Sequence, residues 1–491
     1  MNPWLVLLFF MSVRLSMVYI VQTWFVPDEY WQTVEVAHKM VFGYGHLTWE
    51  WTRGIRSYIY PAFLATVFSV LKYFDLDSLN AVMYGPRILQ AVTSAVGDYC
   101  FLRWYRNHNS GQGLWAMFAL TTNWFWLYCG SRTLINAFET TLNTVALYLF
   151  PWNQSKIHKT SFSFLWFVAI ACIVRPTAVV IWLPLCVYHC VLSYHRMTVV
   201  VKNYILVGLV VAAAATMLDT YLYGKITFTP WGFLQANIMN DIGVFYGTHP
   251  LHWYINVGIP VVLGVHLVPF LLGSFKALTY DRINIEKVLL FAIVWTVAVL
   301  SLVRHKEVRF VLPLFPMFVY IESSWLSCWS RKVHRLMVWI VAVGMVVANG
   351  ALLVYFGLVH QRGTLDVMKV LADGNTRHTS VLFLMPCHST PLYSHLHKRI
   401  QVRFLTCEPD FTGNLHYQDE ADIFYTDPEK WLLQHYSTNV NVSHIVIYDS
   451  LYPKIKNFLN EYNYKLSSSL FHTFHPDGRV GKYVEVYTLL D

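Results

Sequence analysis

Two adjacent acids, Asp28 and Glu29, stand in "PDEYWQ" directly after an apolar run, and more residues fit for chemistry crowd in behind them. Glu35, His38, Glu50, Arg53 and Arg56 follow before residue 61, interleaved with Trp31, Trp49 and Trp51. Carboxylates that bind hydroxyls or take a proton, beside flat indole faces for the C–H side of a ring, make the mixture a sugar site needs. If the leaving group is a phosphate, it needs cations or dipoles rather than a protonating acid. One carboxylate within hydrogen-bond reach of the acceptor hydroxyl then suffices as general base. The paired carboxylates of glycoside hydrolases meet a different demand, protonation of a leaving alkoxide. A helix cap with an interfacial aromatic belt would account for Trp24, Tyr30 and Trp31 equally well. It would not account for the concentration of charge.

Cations gather in "SLVRHKEVRFVLPLFP", which packs Arg304, His305, Lys306, Glu307 and Arg309 between two apolar runs. Guanidinium forks match phosphate oxygens and an ammonium adds a point charge; the competing reading is an interfacial cluster that only snorkels. "TPWGFLQANIMNDIGVFYGTHPLHWY" holds His249 and His252, but no third ligand lies near them, so no metal is expected there. "SRTLINAFE" sets Arg132, Asn136 and Glu139 at the start of an apolar helix, where polar side chains face a bundle interior or a cavity. Arg14 and Arg175 could be packed structural cations or part of a lipid-phosphate path.

These residues need a scaffold, and composition indicates which. The chain has 491 residues, 56% hydrophobic and 13% charged, against about 25% charged in soluble chains. A helix needs about 20 apolar residues to cross a bilayer, and residues 5–25 supply such a run at once. Further runs lie at 86–104, 114–129, 133–150, 162–174, 179–192, 204–223, 253–272, 288–302, 310–326 and 337–359, with a shorter one at 61–74. This is an α-helical polytopic membrane protein with about 11–13 transmembrane helices expected, the lower figure if 61–74 is half-inserted. The net charge of +8 does not point to nucleic acid, because many Lys and Arg lie in short loops such as "RWYRNH", "YHRMTVVVK" and "SRKVHR". That is the bias of cytosolic loops. It places 26–60, "HKEVRF" and everything after 359 in the lumen. Residues 5–25 read as an uncleaved first helix rather than a signal peptide.

Locally, Pro27 suits the first position of a helix, and acids in its first turn complement the dipole. Regular spacing predicts Asp28, Gln32 and Glu35 on one face, with Glu29, Thr33 and Val36 on the next. After residue 359 the runs "SVLFLMP", "QVRFLTC", "HIVIYD" and "KYVEVYTLL" read as strands, and "SLYPKIKNFLNEYNY" as helix or turn. Two domains follow: 1–359 in the membrane, with 26–60 as its first luminal loop, and 360–491 as a small luminal α/β domain. The eight cysteines form no metal-ligand pattern; only Cys387 and Cys407 lie in the polar C-terminal region, so any structural disulfide has to join them. The sequon at Asn441 suits a luminal domain, whereas that at Asn153 falls in a loop placed in the cytosol.

Together, "PDEYWQ", "FGYGHLTWEWTRGIRSYIYP", "GTHPLHWY", "HKEVRF" and "MPCHSTPLYS" resemble the eukaryotic dolichyl-phosphate-mannose-dependent mannosyltransferases of glycosyltransferase family 22, which have a GT-C fold. The resemblance covers nearly the whole chain. It implies an endoplasmic reticulum membrane protein with luminal chemistry, dolichyl phosphate mannose as donor, membrane lipids around it, and no cofactor or obligate protein partner. The fuller stretches imply an inverting transfer in α1,2 linkage to the second mannose of the glycosylphosphatidylinositol (GPI) precursor, adding its third mannose. A related step on another GPI mannose or a lipid-linked oligosaccharide stays open, as does a non-catalytic glycolipid transporter. The family's first-loop acid maps onto Asp28, with Glu29 beside it. His305, Lys306 and Arg309 match its charged luminal motif and, with Arg56, are expected at the donor phosphate and sugar. Gln32, Trp49, Glu50, Trp51, Arg132, Glu139, His249 and His252 are expected around the acceptor. Relatives often carry His before Pro-Asp-Glu, where this chain has Val26, so no role is assigned at that position.

Overall fold

The computed structural model describes residues 2–109, 113–152, 162–373, 380–411, 417–436 and 442–490. The chain forms two compact units, one of Met1–Tyr19, Glu50–Phe63 and Arg87–Leu353, the other of Ile20–Trp49, Leu64–Pro86 and Val354–Asp491. A boundary at residue 359 therefore catches only part of the second unit. The acidic stretch up to Trp49 groups with the C-terminal residues.

The apolar runs are helical, among them Pro3–Ile20, Leu79–His108, Ile135–Leu149, Met197–Tyr223, Ile285–Leu302, Phe315–Trp329 and Arg335–Val354. Among the described residues, six helices are long and apolar enough to cross a membrane, and Ile59–Tyr73, Ser163–Val174 and Ala178–Leu192 are apolar but shorter. The run 114–129 breaks at Asn123, which is extended and caps the next helix by accepting from the Trp126 amide at 2.9 Å. Side chains such as Leu8, Leu206, Leu209 and Val347 are exposed, as a lipid-facing surface requires. Arg14 is a packed structural cation: its Nε meets Asp98 Oδ2 at 2.6 Å, and Nη1 and Nη2 donate to the Trp126 and Leu120 carbonyls.

The second unit is built on a five-stranded sheet in the order β2-β1-β3-β5-β4, with β1 Ser380–Phe383, β2 Gln401–Phe404, β3 His444–Tyr448, β4 Tyr464–Phe471 and β5 Tyr483–Leu489. β2, β1 and β3 run parallel, and β5 is antiparallel to β3 and to β4. Alternate residues along a strand face opposite sides. Leu382, Ile445 and Ile447 accordingly pack with Phe424, Trp431 and Phe458. Val381, Phe383, Val446 and Val486 pack the other way, with Leu365 and Met368 and with Trp24, Tyr30 and Trp31. Those three aromatic residues are why the first loop belongs here: they complete one face of the sheet's core. Backbone bonds from Gln22 N to Gly357 O and from Trp24 N to Gln361 O fix the same association.

Candidate active site

Pro27 opens a helix as expected, with the Tyr30 and Trp31 amides returning to its carbonyl at 3.0 Å. Helical structure runs from residue 28 to Phe42, where Gly43, at φ 79°, ends it in the left-handed conformation that Gly adopts without strain. The even stripe of Asp28, Gln32 and Glu35 is corrected: Tyr30–Val34 form a π turn, which slips the register of all that follows. Asp28 is half-buried; Glu29, Gln32 and Glu35 are buried.

The carboxylate of Glu35 turns to a loop from the far end of the sequence. It accepts from Leu392 N at 2.8 Å, from Ser394 N at 3.2 Å and from Ser394 Oγ at 2.5 Å. Burial raises its pKa, against the lowering effect of those bonds. Trp31 Nε1 donates to Thr390 O at 2.9 Å, and its ring lies 4.4 Å from that of His388. "PDEYWQ" and "MPCHSTPLYS", more than 350 residues apart in places, thus form one substructure. Cys387 and Cys407 are bonded, with Cα atoms 5.9 Å apart. They and His388 are also the one cluster among the described residues compact enough for a metal, but sulfurs joined to each other are not the thiolates a metal takes. Trp49 is buried, 5.3 Å from the Phe411 ring.

The cationic residues lie in the first unit. Arg309 grips Glu307 through Nε at 2.7 Å and Nη2 at 2.5 Å, and His305 Nε2 meets the same carboxylate at 3.2 Å. Burial opposes ionisation of Glu307, but Arg309 and His305 outweigh it and hold the carboxyl far below its ordinary value. The bond to Glu307 raises the pKa of His305. Lys306 is buried, with Nζ donating to Val303 O and His249 O at 2.6 and 3.0 Å. His249 and His252 are exposed, the former stacked on Trp253. Asn136 Nδ2 donates to Arg309 O at 3.1 Å, and Glu139 pairs with Arg175 at 3.3 Å. Arg175 and Arg309 both lie over the Phe310 ring. The "SRTLINAFE" helix and "HKEVRF" are therefore one polar cluster. Arg132 lies buried over the Tyr128 ring at 4.1 Å. Arg56 pairs with Glu50 at 2.8 Å, and Trp51 is buried beside Tyr58 and Tyr223.

One supporting residue went unread in the sequence. Asp219 accepts from Tyr58 N, Ser57 Oγ and Thr229 Oγ1 at 2.8, 3.2 and 2.9 Å; a lone acid inside an apolar helix was its signal. Glu35 and His388 were visible as types, but nothing in their spacing announced partners so distant. Asn441 and Asn153 lie outside the described residues.

The fold has a counterpart among solved structures. ArnT from Cupriavidus metallidurans bound to undecaprenyl phosphate superposes with a TM-score of 0.64 at 11% identity, over 98% of this chain and 97% of that one. The fold is GT-C, that of multi-span membrane glycosyltransferases. Residues 5–397 match the Alg9-like mannosyltransferase family, and the chain belongs to it. Relatives include GPI mannosyltransferase 3 of Drosophila melanogaster, 43% identical over 95% of this chain and 83% of that protein. GPI alpha-1,2-mannosyltransferase 3 of Homo sapiens is 39% identical over 98% of this chain and 86% of that one.

Proposed function

We propose that this enzyme transfers mannose from dolichyl phosphate mannose to the 2-hydroxyl of the second mannose of the GPI precursor, with inversion, at the luminal face of the endoplasmic reticulum membrane. The observation that carries the reading is the group of relatives near 40% identity over almost the entire chain whose names specify a GPI α1,2-mannosyltransferase. Asp28 takes the proton of the acceptor hydroxyl as its oxygen attacks the anomeric carbon and the dolichyl phosphate departs. The bond made is glycosidic, the bond broken is the sugar–phosphate ester, and the phosphate leaves with its electron pair. His305, Lys306 and Arg309 are the cations assigned to that phosphate, which needs charge stabilisation and no proton. Glu29 sits beside the base, and Gln32, Trp49, Glu50, Trp51, Arg56, Arg132, Glu139, His249 and His252 are assigned to substrate contacts or their support. No cofactor enters the scheme, since a phosphate leaving group and one base complete it.

Glycolipid analysis of cells lacking the protein tests this reading. Accumulation of a GPI precursor with two mannoses is expected. A three-mannose precursor would move the enzyme to the following step, and intact GPI with truncated lipid-linked oligosaccharide would move it to the other pathway.

A further inference from the structure

The stretch that leads into "GTHPLHWY" meets the cationic loop with its backbone. His249 N donates to Arg304 O and His249 O accepts from Lys306 Nζ, both at 3.0 Å. Asp241 pairs with Arg304 at 3.4 Å. Gly247 O lies 3.0 Å from His305 Nδ1, and Gly247 presents that carbonyl at φ 112°, a backbone conformation that residues with side chains rarely adopt.

The other ring nitrogen of His305, Nε2, lies 3.2 Å from Glu307 Oε1. A carbonyl oxygen can only accept a hydrogen bond, and so can an ionised carboxylate. The two bonds from Arg309, at 2.7 and 2.5 Å, keep Glu307 ionised. A neutral imidazole has a single N–H, so it would serve one of these oxygens and turn a bare nitrogen on the other. Only the imidazolium donates to both. The charges around the ring agree with that state. The bond to Glu307 raises the His305 pKa most; burial opposes it, Gly247 O supports it, and the Arg309 charge acts against it. The rings of Tyr246 and Phe310 lie 6.4 and 6.0 Å away. Of the remaining charged neighbours, Arg304 is paired with Asp241, and Lys306 donates to Val303 O and His249 O.

We propose that His305 is a positioning residue acting as an imidazolium latch: its two N–H groups join the 241–249 stretch to Glu307 and thereby fix Lys306 and Arg309 for the donor phosphate. With both N–H groups engaged, His305 offers the phosphate its charge through space and no hydrogen bond. The inference rests on the cationic loop serving that phosphate, as proposed above.

The test is the pH dependence of the KM for dolichyl phosphate mannose, measured on the full chain in liposomes for the unaltered enzyme, His305→Arg and Gly247→Ala. The donor is a phosphodiester with no proton to lose in this range, so a change in KM belongs to the protein. In the unaltered enzyme KM should be level near pH 6.5 and rise about tenfold towards pH 9 as the imidazolium loses its proton, the weight of one charge-assisted bond. His305→Arg keeps a permanent cation with several donors, so the rise should vanish. Gly247→Ala has open space around its added Cβ and strains only the backbone that presents the carbonyl, so the rise should begin at lower pH. A level KM in the unaltered enzyme overturns the proposal. The same rise in His305→Arg assigns it to another group, such as Lys306, whose pKa burial lowers, and overturns it too. An unmoved rise in Gly247→Ala leaves His305 a cation without a latch, which also overturns it, and this variant decides the matter if His305→Arg does not fold. Mannose transfer with any of these profiles leaves the underlying reading standing, whereas folded, unaltered enzyme that transfers no mannose from this donor at any pH overturns that reading itself.

Discussion

Arg309 meets Glu307 through two nitrogens at once, a planar fork that lysine cannot reproduce. If that guanidinium also serves the donor phosphate, Arg309→Lys should raise the donor KM about tenfold, roughly the weight of one charge-assisted bond, with the acceptor KM unchanged. Initial rates at varied donor concentration measure it. Titration offers a second test at this scale. His38, His388 and His472 are held near pKa 4, mainly by burial, against an ordinary 6.5. Between those values the unfolded chain binds protons that the folded chain does not. Their stability contribution is complete above pH 6.5 and is lost as pH falls towards 4. The thermal midpoint of the second unit should drop on going from pH 7 to 4.5; a flat profile would contradict the burial of neutral imidazoles. Residue types were legible in the sequence, as the acid pair and the cationic loop show. Partners such as Glu35 with Ser394 were not, because nothing local records a contact made across most of the chain.

Elements were legible where one physical force dominates. Hydropathy located the apolar helices, and Pro27 with the acids behind it located the start of the helix carrying Asp28. The π turn at Tyr30–Val34 left no trace in composition, and β4 was missed because "YKLSSSLF" has a polar centre on an edge strand, with Ser468 and Ser469 paired to β5. Within the membrane helices, the Arg14–Asp98 pair supports a prediction of its own. Asp98 also accepts from Trp126 Nε1 at 2.9 Å, so the cluster joins Pro3–Ile20, Leu79–His108 and the segment after Asn123. Removing one partner strands a buried charge, so Asp98→Asn should cost about 3–5 kcal/mol. Replacing both residues with apolar ones should recover much of that. Melting in detergent distinguishes the two, and an unchanged midpoint in Asp98→Asn would contradict the structural role.

For the whole molecule, composition changes at residue 359 and suggests a boundary there, yet the second unit also gathers in 20–49 and 64–86. A change in local character marks where the chain leaves the bilayer, whereas a compact unit is defined by what packs together; Trp24, Tyr30 and Trp31 belong to the sheet by packing. The charge bias of the loops predicts that Asn441 carries N-linked glycan and Asn153 does not, which a shift in mobility on glycosidase treatment of single-sequon variants checks. The central claim is that Asp28 is the base of the transfer. The enzyme reconstituted in liposomes with labelled dolichyl phosphate mannose and a two-mannose GPI acceptor should form one new α1,2-linked mannose, and Asp28→Asn, folded and still able to bind dolichyl phosphate, should lose at least a hundredfold in rate, the lower range for a general base. Transfer by Asp28→Asn at near the unaltered rate would contradict it.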